Sequence, residues 1–318
     1  MLVDLTASGS RSTETAGARR PPLTMPDYGH PLSFGTFVTP RSTDPQHVVR
    51  LARHAEDVGL DLISLQDHPY QPRFLDTWTA LTWIAAHTER IAIAPNVLNL
   101  PLRPPAVVAR STAGLDLLSG GRVELGLGSG AFWPAIEAMG GRRLTPGQAV
   151  DALTEAVAVI RALWGAPGAG VTVEGSHYSL AGAKPGPEPA HRISIWLGAY
   201  KPRMLRLTGA TADGWLPSTA YLEDGDLERG NAAVDAAAVD AGRRPGDVRR
   251  LLNLQGTFDE TGDAFVTGPP EAWVERLLPL AVEQGVSTFI VMADDERTIE
   301  RFAGEVAPQL RAAVAAAR

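Results

Sequence analysis

Short apolar runs alternate with amphipathic helical windows from Leu32 almost to the end of the chain, and this alternation limits the folds that the chain can adopt. Eight runs of four to eight residues fall at positions 32–38, 62–66, 91–98, 122–127, 193–198, 214–217, 250–256 and 288–292. Mostly apolar strands separated by helices are typical of a parallel sheet that is buried on both faces.

The eight strand–helix units favour a closed barrel over an open sheet. A chain of 318 residues has the length of a β/α barrel. The alternative, an open doubly wound sheet, would carry a glycine-rich phosphate loop after its first strand. Residues 34–40 contain a single glycine and no such loop. We therefore predict an α/β fold, a (β/α)8 TIM barrel.

Helix boundary residues recur between the predicted strands. Asp44-Pro45 and Thr145-Pro146 are typical of helix starts, and Gly59 is typical of a C-terminal cap. Residues 165–189 interrupt the pattern with dense Gly and Pro, and residues 171–180 among them resemble a hairpin. We expect an insertion after strand four that decorates one face of the barrel as a lid or a wall of the pocket.

The first thirty residues have neither a helical nor an alternating period, and they lack an apolar stretch long enough for a signal or an anchor. We predict that residues 1–30 are a disordered extension and that residues 31–318 form a single barrel domain. No later apolar run approaches membrane-spanning length, so we expect no membrane partner.

Composition and missing motifs disfavour several kinds of function. The net charge is −7 and the basic residues are scattered, which argues against a nucleic-acid partner. The chain has no cysteine, which excludes disulfides and thiolate chemistry and favours the cytoplasm. It also lacks His-Glu-x-x-His, Gly-x-Ser-x-Gly and Walker motifs, so we expect no metal, no serine hydrolysis and no nucleotide triphosphate chemistry.

A histidine directly after the second strand is the leading catalytic residue. In a barrel, the polar residues that follow each strand meet at one mouth, where the chemistry takes place. His68 is the only histidine at a strand end, and there an imidazole can exchange protons or contact a cofactor ring. The alternative is a structural histidine. Asp67 either orients that imidazole or ties the loop down.

The next two strand ends offer contacts to a planar ligand. Asn96, followed by Val97, ends the third strand and provides both a donor and an acceptor, although it could instead satisfy exposed backbone. After the fourth strand, Gly128-Ser129-Gly130 lacks side chains at alternate positions, so a ligand can lie against the main chain. A simple turn is the alternative.

The turn after the fifth strand suits a phosphate. Gly198-Ala199-Tyr200 leads through Lys201 into a helix whose first turn contains Pro202. Free N–H groups and the positive end of a helix dipole favour an anion there. The alternative is an ordinary β/α turn.

These segments together resemble the bacterial luciferase-like superfamily of flavin- or deazaflavin-dependent oxidoreductases. The resemblance covers residues 32–301, and its specificity comes from the order and spacing of the motifs. The matching residues are Asp67-His68, Arg90-Ile91-Ala92-Ile93-Ala94 with Asn96-Val97, Gly120-Gly121-Arg122-Val123-Glu124-Leu125-Gly126-Leu127-Gly128-Ser129-Gly130, Leu197-Gly198-Ala199-Tyr200 and Ala212-Asp213-Gly214-Trp215.

The resemblance implies a cofactor site and an assembly. It implies that main-chain groups of Gly198-Ala199-Tyr200 hold the cofactor phosphate, and that the ring system lies over Asn96-Val97 and Gly128-Ser129-Gly130. Asp67 belongs to the same implied cofactor site. Deazaflavin members often carry a non-proline cis peptide at the position of Asn96-Val97. Members are commonly dimers, so we expect a homodimer, with the helix at residues 106–118 as one candidate surface.

The sugar-phosphate dehydrogenase branch of that superfamily matches less well. It has an Asp-His pair like Asp67-His68 and a Gly-Thr-Gly-Glu run after strand four. Here the run reads Gly128-Ser129-Gly130-Ala131, without the carboxylate, and Arg73 stands where that branch has an aromatic residue. The resemblance therefore implies hydride transfer with a different, more apolar organic substrate.

We expect a flavin-type cofactor at the mouth, with His68 donating or accepting the companion proton. The deazaflavin coenzyme F-420 is preferred over FMN. One alternative is an FMN-dependent two-component monooxygenase, in which a separate reductase supplies the reduced flavin and oxygen reacts at its ring. A second is a non-catalytic barrel that binds a flavin. The partner expected in every case is a small molecule.

Overall fold

The computed structural model describes residues 28–166, 168–259, 262 and 264–318. Residues 1–27 of the predicted extension lie outside this described part. The segment 28–30 packs against the body of the protein, because the Tyr28 hydroxyl donates to Asp235 at 2.9 Å and His30 Nε2 lies 2.9 Å from the carbonyl oxygen of Gly246. The packed chain therefore includes the last three residues of the segment predicted to be disordered.

The prediction of an α/β barrel is confirmed. Within the described residues the strands are β1 (Ser33–Val38), β2 (Leu62–Leu65), β3 (Ala92–Pro95), β4 (Leu98–Asn99), β5 (Leu125–Gly128), β6 (Val171–Val173), β7 (Leu180–Ala183), β8 (Ile195–Leu197), β9 (Gly214–Trp215), β10 (Arg249–Leu254), β11 (Gly256–Thr257), β12 (Val266–Thr267) and β13 (Thr288–Met292). The hydrogen-bonded order β3-β2-β1-β13-β10-β9-β8-β5-β4 is parallel throughout, and a bridge between Ile93 and Val123 joins its ends.

Eight strands of the barrel correspond to the eight predicted runs. β3 and β4 are two pieces of the third barrel strand, interrupted at Asn96 and Val97. Each of the other barrel strands coincides with a predicted run or is offset from it by a few residues, since apolar side chains on both faces mark a buried parallel strand.

Helices cover the outside of the barrel. They are α1 (His47–Asp57), α2 (Thr77–Ala85), α3 (Pro105–Ser119), α4 (Trp133–Ala138), α5 (Pro146–Leu163), α6 (Pro202–Thr211), α7 (Asp226–Asp240), α8 (Pro270–Val282), α9 (Glu296–Arg301) and α10 (Ala307–Ala317), with a π-helical segment between the last two. In the part of the chain that the structure covers, no helix has the length and apolarity that crossing a membrane requires.

The predicted helix boundaries hold where a cap is formed. Thr145 and Gln148 form a capping box at the start of α5, and Gly59 takes φ +87° after α1. The start predicted at Asp44-Pro45 is early, because Asp44 accepts a turn hydrogen bond from His47 N–H at 3.0 Å and the helix begins only at His47.

The insertion after strand four forms the expected hairpin, β6 against β7, but its contacts lie on the flank of the barrel. The carboxylate of Glu155 in α5 accepts N–H bonds from Ser176, His177 and Tyr178. Arg110 in α3 donates to the carbonyl of Lys184. These bonds hold the hairpin against α3 and α5, so the expectation of a lid or pocket wall is not met by its described contacts.

An apolar cluster fills the middle of the barrel and places the mouth above it. Side chains alternate along a strand, so every second residue of a barrel strand points inward. Five strands and the residue directly after β9 contribute one buried residue each to this cluster: Leu62, Ala94, Trp196, Leu216, Leu251 and Ile290. Residues two positions further along each strand therefore lie one layer nearer the carboxyl ends.

Candidate functional site

A neutral layer of four polar side chains forms the floor of the barrel mouth. Ser64, Asn96, Ser218 and Asn253 each stand two residues after a member of the apolar cluster. Asn96 Nδ2 donates to Asn253 Oδ1 at 2.7 Å and to Ser64 Oγ at 3.1 Å. Asn253 Nδ2 in turn donates to Asn96 Oδ1 at 3.0 Å and to Ser218 Oγ at 3.1 Å. The floor can therefore offer hydrogen bonds without a net charge.

Asn96 was predicted from the sequence to be a site residue, and Asn253 was not. Both amide hydrogens of Asn96 are used within the floor, so its side chain is held in place by protein groups. Asn253 interrupts the apolar run Leu251-Leu252-Asn253-Leu254 and is buried. A buried amide inside a strand needs partners, and this break in the run is the signal that could have identified it.

Val97 brings three predicted segments together. The Asn96-Val97 peptide is cis, as the luciferase-like resemblance implies. A Cβ at Gly128 would lie 2.6 Å from Val97 Cγ2, and one at Gly198 would lie 3.9 Å from Val97 Cγ1. Gly128 therefore allows the close approach of the protein's own third strand, whereas a side chain at Gly198 would make only ordinary contacts with Val97 and with the carbonyl of Leu216.

The remaining residues of the glycine segment lie at the rim. Ser129 is half-buried directly after β5. Gly130 has φ +95°, and a Cβ there would lie 2.7 Å from Pro101. Close packing of protein groups thus accounts for Gly128 and Gly130, and a ligand contact remains a prediction for both glycines and for Ser129.

His68 lies at the mouth in a cluster of aromatic rings. Its Nδ1 is 2.6 Å from the hydroxyl oxygen of Tyr70, and its ring centroid is 5.5 Å from that of Phe132. Burial lowers the pKa of His68, and the negative charge of Asp67 partly opposes that shift. Burial also raises the pKa of Tyr70 to about 12, so this hydroxyl stays protonated near neutral pH.

Asp67 ties the loop to the start of α3. Its buried carboxylate accepts two bonds from Arg103, both at 2.8 Å, and one from the Asn99 N–H, also at 2.8 Å. Arg103 also donates to Asp76, which caps α2 through the N–H of Thr79. Of the two roles considered for Asp67, this geometry favours the structural one, and its place in a cofactor site remains a prediction.

The turn after β8 has the features that an anion needs. Ala199 is fully buried, and its carbonyl accepts a bond from Trp215 Nε1 at 2.9 Å. The Tyr200 hydroxyl accepts a bond from the N–H of Ser218 at 2.9 Å. The N-cap residue of α6, Lys201, makes no side-chain cap, so the first N–H groups of this helix remain available to a ligand.

A cavity of about 420 Å³ opens on the side of the mouth opposite the turn after β8. Its walls come from the carboxyl ends of β1, β2, β10 and β13. Of these four strand ends, only that of β2 was predicted to carry site residues. The lining residues are Phe37, Val38, Thr39, Gln66, Gln255, Gly256, Ala264, Met292, Ala293 and Asp294. Apart from Ala264, each lies in the last two residues of a predicted strand or within two residues after it, so position was their only signal.

In the described residues, no group of three or more His, Asp or Glu side chains is placed to hold a metal ion. The mouth instead combines a neutral floor, a half-buried imidazole and a helix N-terminus. A barrel with such a mouth is typical of enzymes that bind an organic cofactor at the carboxyl ends of their strands.

The chain belongs to the luciferase-like monooxygenase family, which it matches over residues 30–298. An F-420-dependent glucose-6-phosphate dehydrogenase of Kineococcus radiotolerans is 31% identical over 87% of this chain and 83% of the relative. A phthiodiolone/phenolphthiodiolone dimycocerosates ketoreductase of Mycobacterium kansasii is 32% identical over 80% of this chain and 71% of the relative.

Solved structures show the same fold. An F-420-dependent secondary alcohol dehydrogenase in complex with an F-420–acetone adduct superimposes with a TM-score of 0.78 at 19% identity, covering 88% of this chain and 99% of that one. The long-chain alkane monooxygenase LadA gives a TM-score of 0.76 at 14% identity, covering 89% and 91%. The predictions of a luciferase-like barrel and of an oxidoreductase are confirmed.

Proposed function

We propose that this protein binds coenzyme F-420 at the barrel mouth and transfers a hydride between it and a small organic substrate. The observation that carries the proposal is the half-buried His68 at the mouth, beside a floor of uncharged hydrogen-bonding groups. Relatives at 28–31% identity that are F-420-dependent glucose-6-phosphate dehydrogenases support the choice of cofactor.

The residues present fit a phosphate-bearing cofactor. The uncapped start of α6, with Gly198, Ala199 and Tyr200 before it and Lys201 beside it, would hold a phosphate through main-chain N–H groups. Gly198 lies beside Val97, so a cofactor whose phosphate is held at this turn would place its ring system over Val97, with Ser129 at the edge of the ring. When bound, the deazaflavin supplies two-electron hydride transfer.

The protein's own part in the reaction is proton transfer and positioning. In the tautomer that acts as a base, Nδ1–H of the neutral His68 donates to the Tyr70 hydroxyl oxygen, which leaves the Nε2 lone pair free to accept a proton from the substrate hydroxyl. Because burial lowers the pKa of His68, the imidazole is neutral at pH 7. The rings of Tyr70 and Phe132 limit the access of water to it.

The second candidate function is an FMN-dependent two-component monooxygenase. It is favoured by the name of the matched family and by the likeness of the fold to alkane monooxygenase LadA. In that case a separate reductase would deliver the reduced flavin. A barrel that binds a flavin without catalysis is the third possibility.

Oxygen uptake separates the first two functions, because a reduced deazaflavin reacts poorly with oxygen whereas a reduced flavin in a monooxygenase consumes it. We expect the protein with reduced F-420 to consume oxygen no faster than the reduced cofactor alone. Protein-dependent oxygen uptake with reduced FMN would instead support the monooxygenase. Turnover of a confirmed substrate should be lost in His68→Ala, and unchanged turnover would rule out the proton-transfer role.

We also propose that the protein is a homodimer and that it is located in the cytoplasm. Trp83 in α2 and Val107, Leu117 and Leu118 in α3 are exposed apolar side chains on neighbouring helices, and Leu118 is 84% exposed. A homodimer through this surface would cover them. The absence of cysteine supports, in the same way, a cytoplasmic location.

A further inference from the structure

Among the described residues, those that line the cavity at the mouth include polar groups and no Lys or Arg. Phe37 and Met292 give it apolar walls, and Thr39, Gln66 and Gln255 offer a hydroxyl and two amides. Gln66 lies two residues before His68 on the same loop, so the cavity and the imidazole share one side of the mouth. The cavity therefore adjoins the loop that carries the imidazole, although His68 itself is not among the lining residues.

Asp294, the one charged residue among the described residues that line the cavity, is already paired. Its Oδ1 accepts the N–H of Thr39 at 2.7 Å, and its Oδ2 accepts from Arg41 at 3.1 Å. Arg41 is not among the lining residues, and its side chain is 60% exposed. The charge of Arg41 is therefore compensated by Asp294 before a ligand arrives.

The sequence that follows β10 contains no basic residue. Residues 256–265 contain Asp259, Glu260 and Asp263 and neither Lys nor Arg. A phosphate monoester that enters a partly buried cavity must exchange its water for strong donors, and the charged arginine is the usual partner. Among the described lining residues, neutral amides are present and no Lys or Arg could serve as that partner.

We infer that the cavity binds an uncharged compound with a hydroxyl or carbonyl group on an apolar body, and that it rejects phosphorylated sugars. This inference rests on the proposed function, since it names the substrate class of the same mouth. It separates this chain from the glucose-6-phosphate dehydrogenases among its relatives, whose substrate carries a phosphate. Thr39, Gln66 and Gln255 would hydrogen-bond the substrate oxygen, and Phe37 and Met292 would contact its apolar part.

The test compares a neutral ligand with its phosphorylated counterpart. Benzyl alcohol and benzyl phosphate share one apolar body, and their binding to the full-length protein loaded with F-420 can be measured by saturation-transfer NMR. We expect benzyl alcohol to bind at least about tenfold more tightly than benzyl phosphate. Equal or tighter binding of benzyl phosphate, or no saturable binding of either compound, would overturn the inference.

A lysine introduced at the cavity wall tests whether the benzyl compounds bind in this cavity. Gln255 is exposed at the cavity wall, so Gln255→Lys should fold normally and tighten benzyl phosphate binding by about tenfold. Gln255→Glu is the matched control and should not tighten it. If Gln255→Lys leaves benzyl phosphate unchanged, the cavity is not where these ligands bind and the inference fails.

The same samples distinguish this inference from the proposed function. F-420 binding is titrated first, with no benzyl compound present. Failure of F-420 to bind, together with a preserved preference for benzyl alcohol in the cofactor-free protein, would contradict the proposed function alone. Normal F-420 binding with a preference for benzyl phosphate would contradict the substrate class alone.

Discussion

The hydroxyl of Tyr70 lies 2.6 Å from Nδ1 of His68, so one nitrogen of the candidate catalytic imidazole is already engaged by the protein. The two residues belong to one loop, and the Asp67–Arg103 ion pair fixes that loop to α3. Proton exchange is thereby directed to Nε2, and the ring is held at the mouth before any ligand arrives.

Loss of the Tyr70 hydroxyl should weaken catalysis more than binding. In Tyr70→Phe the ring contact with Phe132 is retained but Nδ1 loses its partner, so the imidazole can rotate and change its tautomer. We expect kcat to fall by about tenfold with KM nearly unchanged. Tyr221→Phe, which alters a hydroxyl on an exposed ring, is the control. Equal kcat values and pH profiles in Tyr70→Phe and wild type would show that Tyr70 does not position His68.

The pH dependence of alcohol oxidation should report the depressed pKa of His68. Burial lowers this pKa below the ordinary value of 6.5, and the neutral imidazole is the form that accepts a proton. The rate should therefore rise with pH through a midpoint below 6.5 and reach its plateau by neutral pH. The profile of kcat/KM for wild type measures the midpoint. A midpoint at or above 6.5 would mean that another group controls the rate or that His68 is not desolvated.

The Asp67–Arg103 ion pair should contribute to the stability of the protein and should not contribute to its cofactor affinity. Asp67 is buried against Arg103, and removing one partner of such a pair leaves an uncompensated charge. We expect Arg103→Leu to lower the free energy of unfolding by about 3 kcal/mol, measured by urea denaturation. Arg73→Leu, at an exposed position of the same loop, should change it little. For Asp67→Asn we expect lower stability with normal F-420 affinity. A large loss of affinity in a stably folded Asp67→Asn would instead establish its predicted cofactor role.

His191 should make stability fall at alkaline pH. Glu124, 3.9 Å from its Nε2, and the buried Asp116, 2.9 Å from its Nδ1, raise the pKa of His191 to about 9. Because the folded pKa lies above the unfolded value, this contribution is complete below 6.5 and is lost as the pH rises through about 9. After allowance for solvent screening it should be about 1 kcal/mol. Urea unfolding at about pH 6 and about pH 9.5 measures it. A His191→Gln variant that shows the same difference between the two pH values would exclude His191 as its source.

The glycines of β5 should be coupled to Val97. A Cβ at Gly128 would meet Val97 Cγ2 at 2.6 Å, so Gly128→Ala forces this side chain to move. We expect a loss of about 1–3 kcal/mol in unfolding free energy, as overpacking usually costs. Val97→Ala removes the obstructing methyl, so the double variant should lose less than the sum of the two single variants. Additive losses would show that Gly128 is not there to admit Val97.

The barrel could be predicted from the sequence because buried parallel strands are apolar on both faces, so all eight stood out as short runs. Of the four residues of the floor, only Asn96 was predicted. The luciferase-like resemblance identified Asn96, whereas no motif marks Asn253, and their reciprocal bonds join positions 157 residues apart. A single sequence does not show which residues so far apart in the chain are in contact.

The glycine segment shows why site assignments from spacing are limited. Alternate glycines are needed whenever something approaches the backbone closely, and Gly128 looks the same whether the neighbour is a ligand or Val97. The cavity residues Thr39, Gln255 and Met292 carry no motif at all. Only the parallel pairing of β13 between β1 and β10 brings the ends of these three strands together.

The most direct test of the central claim is a fluorescence titration of the cofactor-free protein with F-420 and, in parallel, with FMN. We expect saturable F-420 binding at least about tenfold tighter than FMN binding. Comparable weak binding of both cofactors, or tighter binding of FMN, would contradict it.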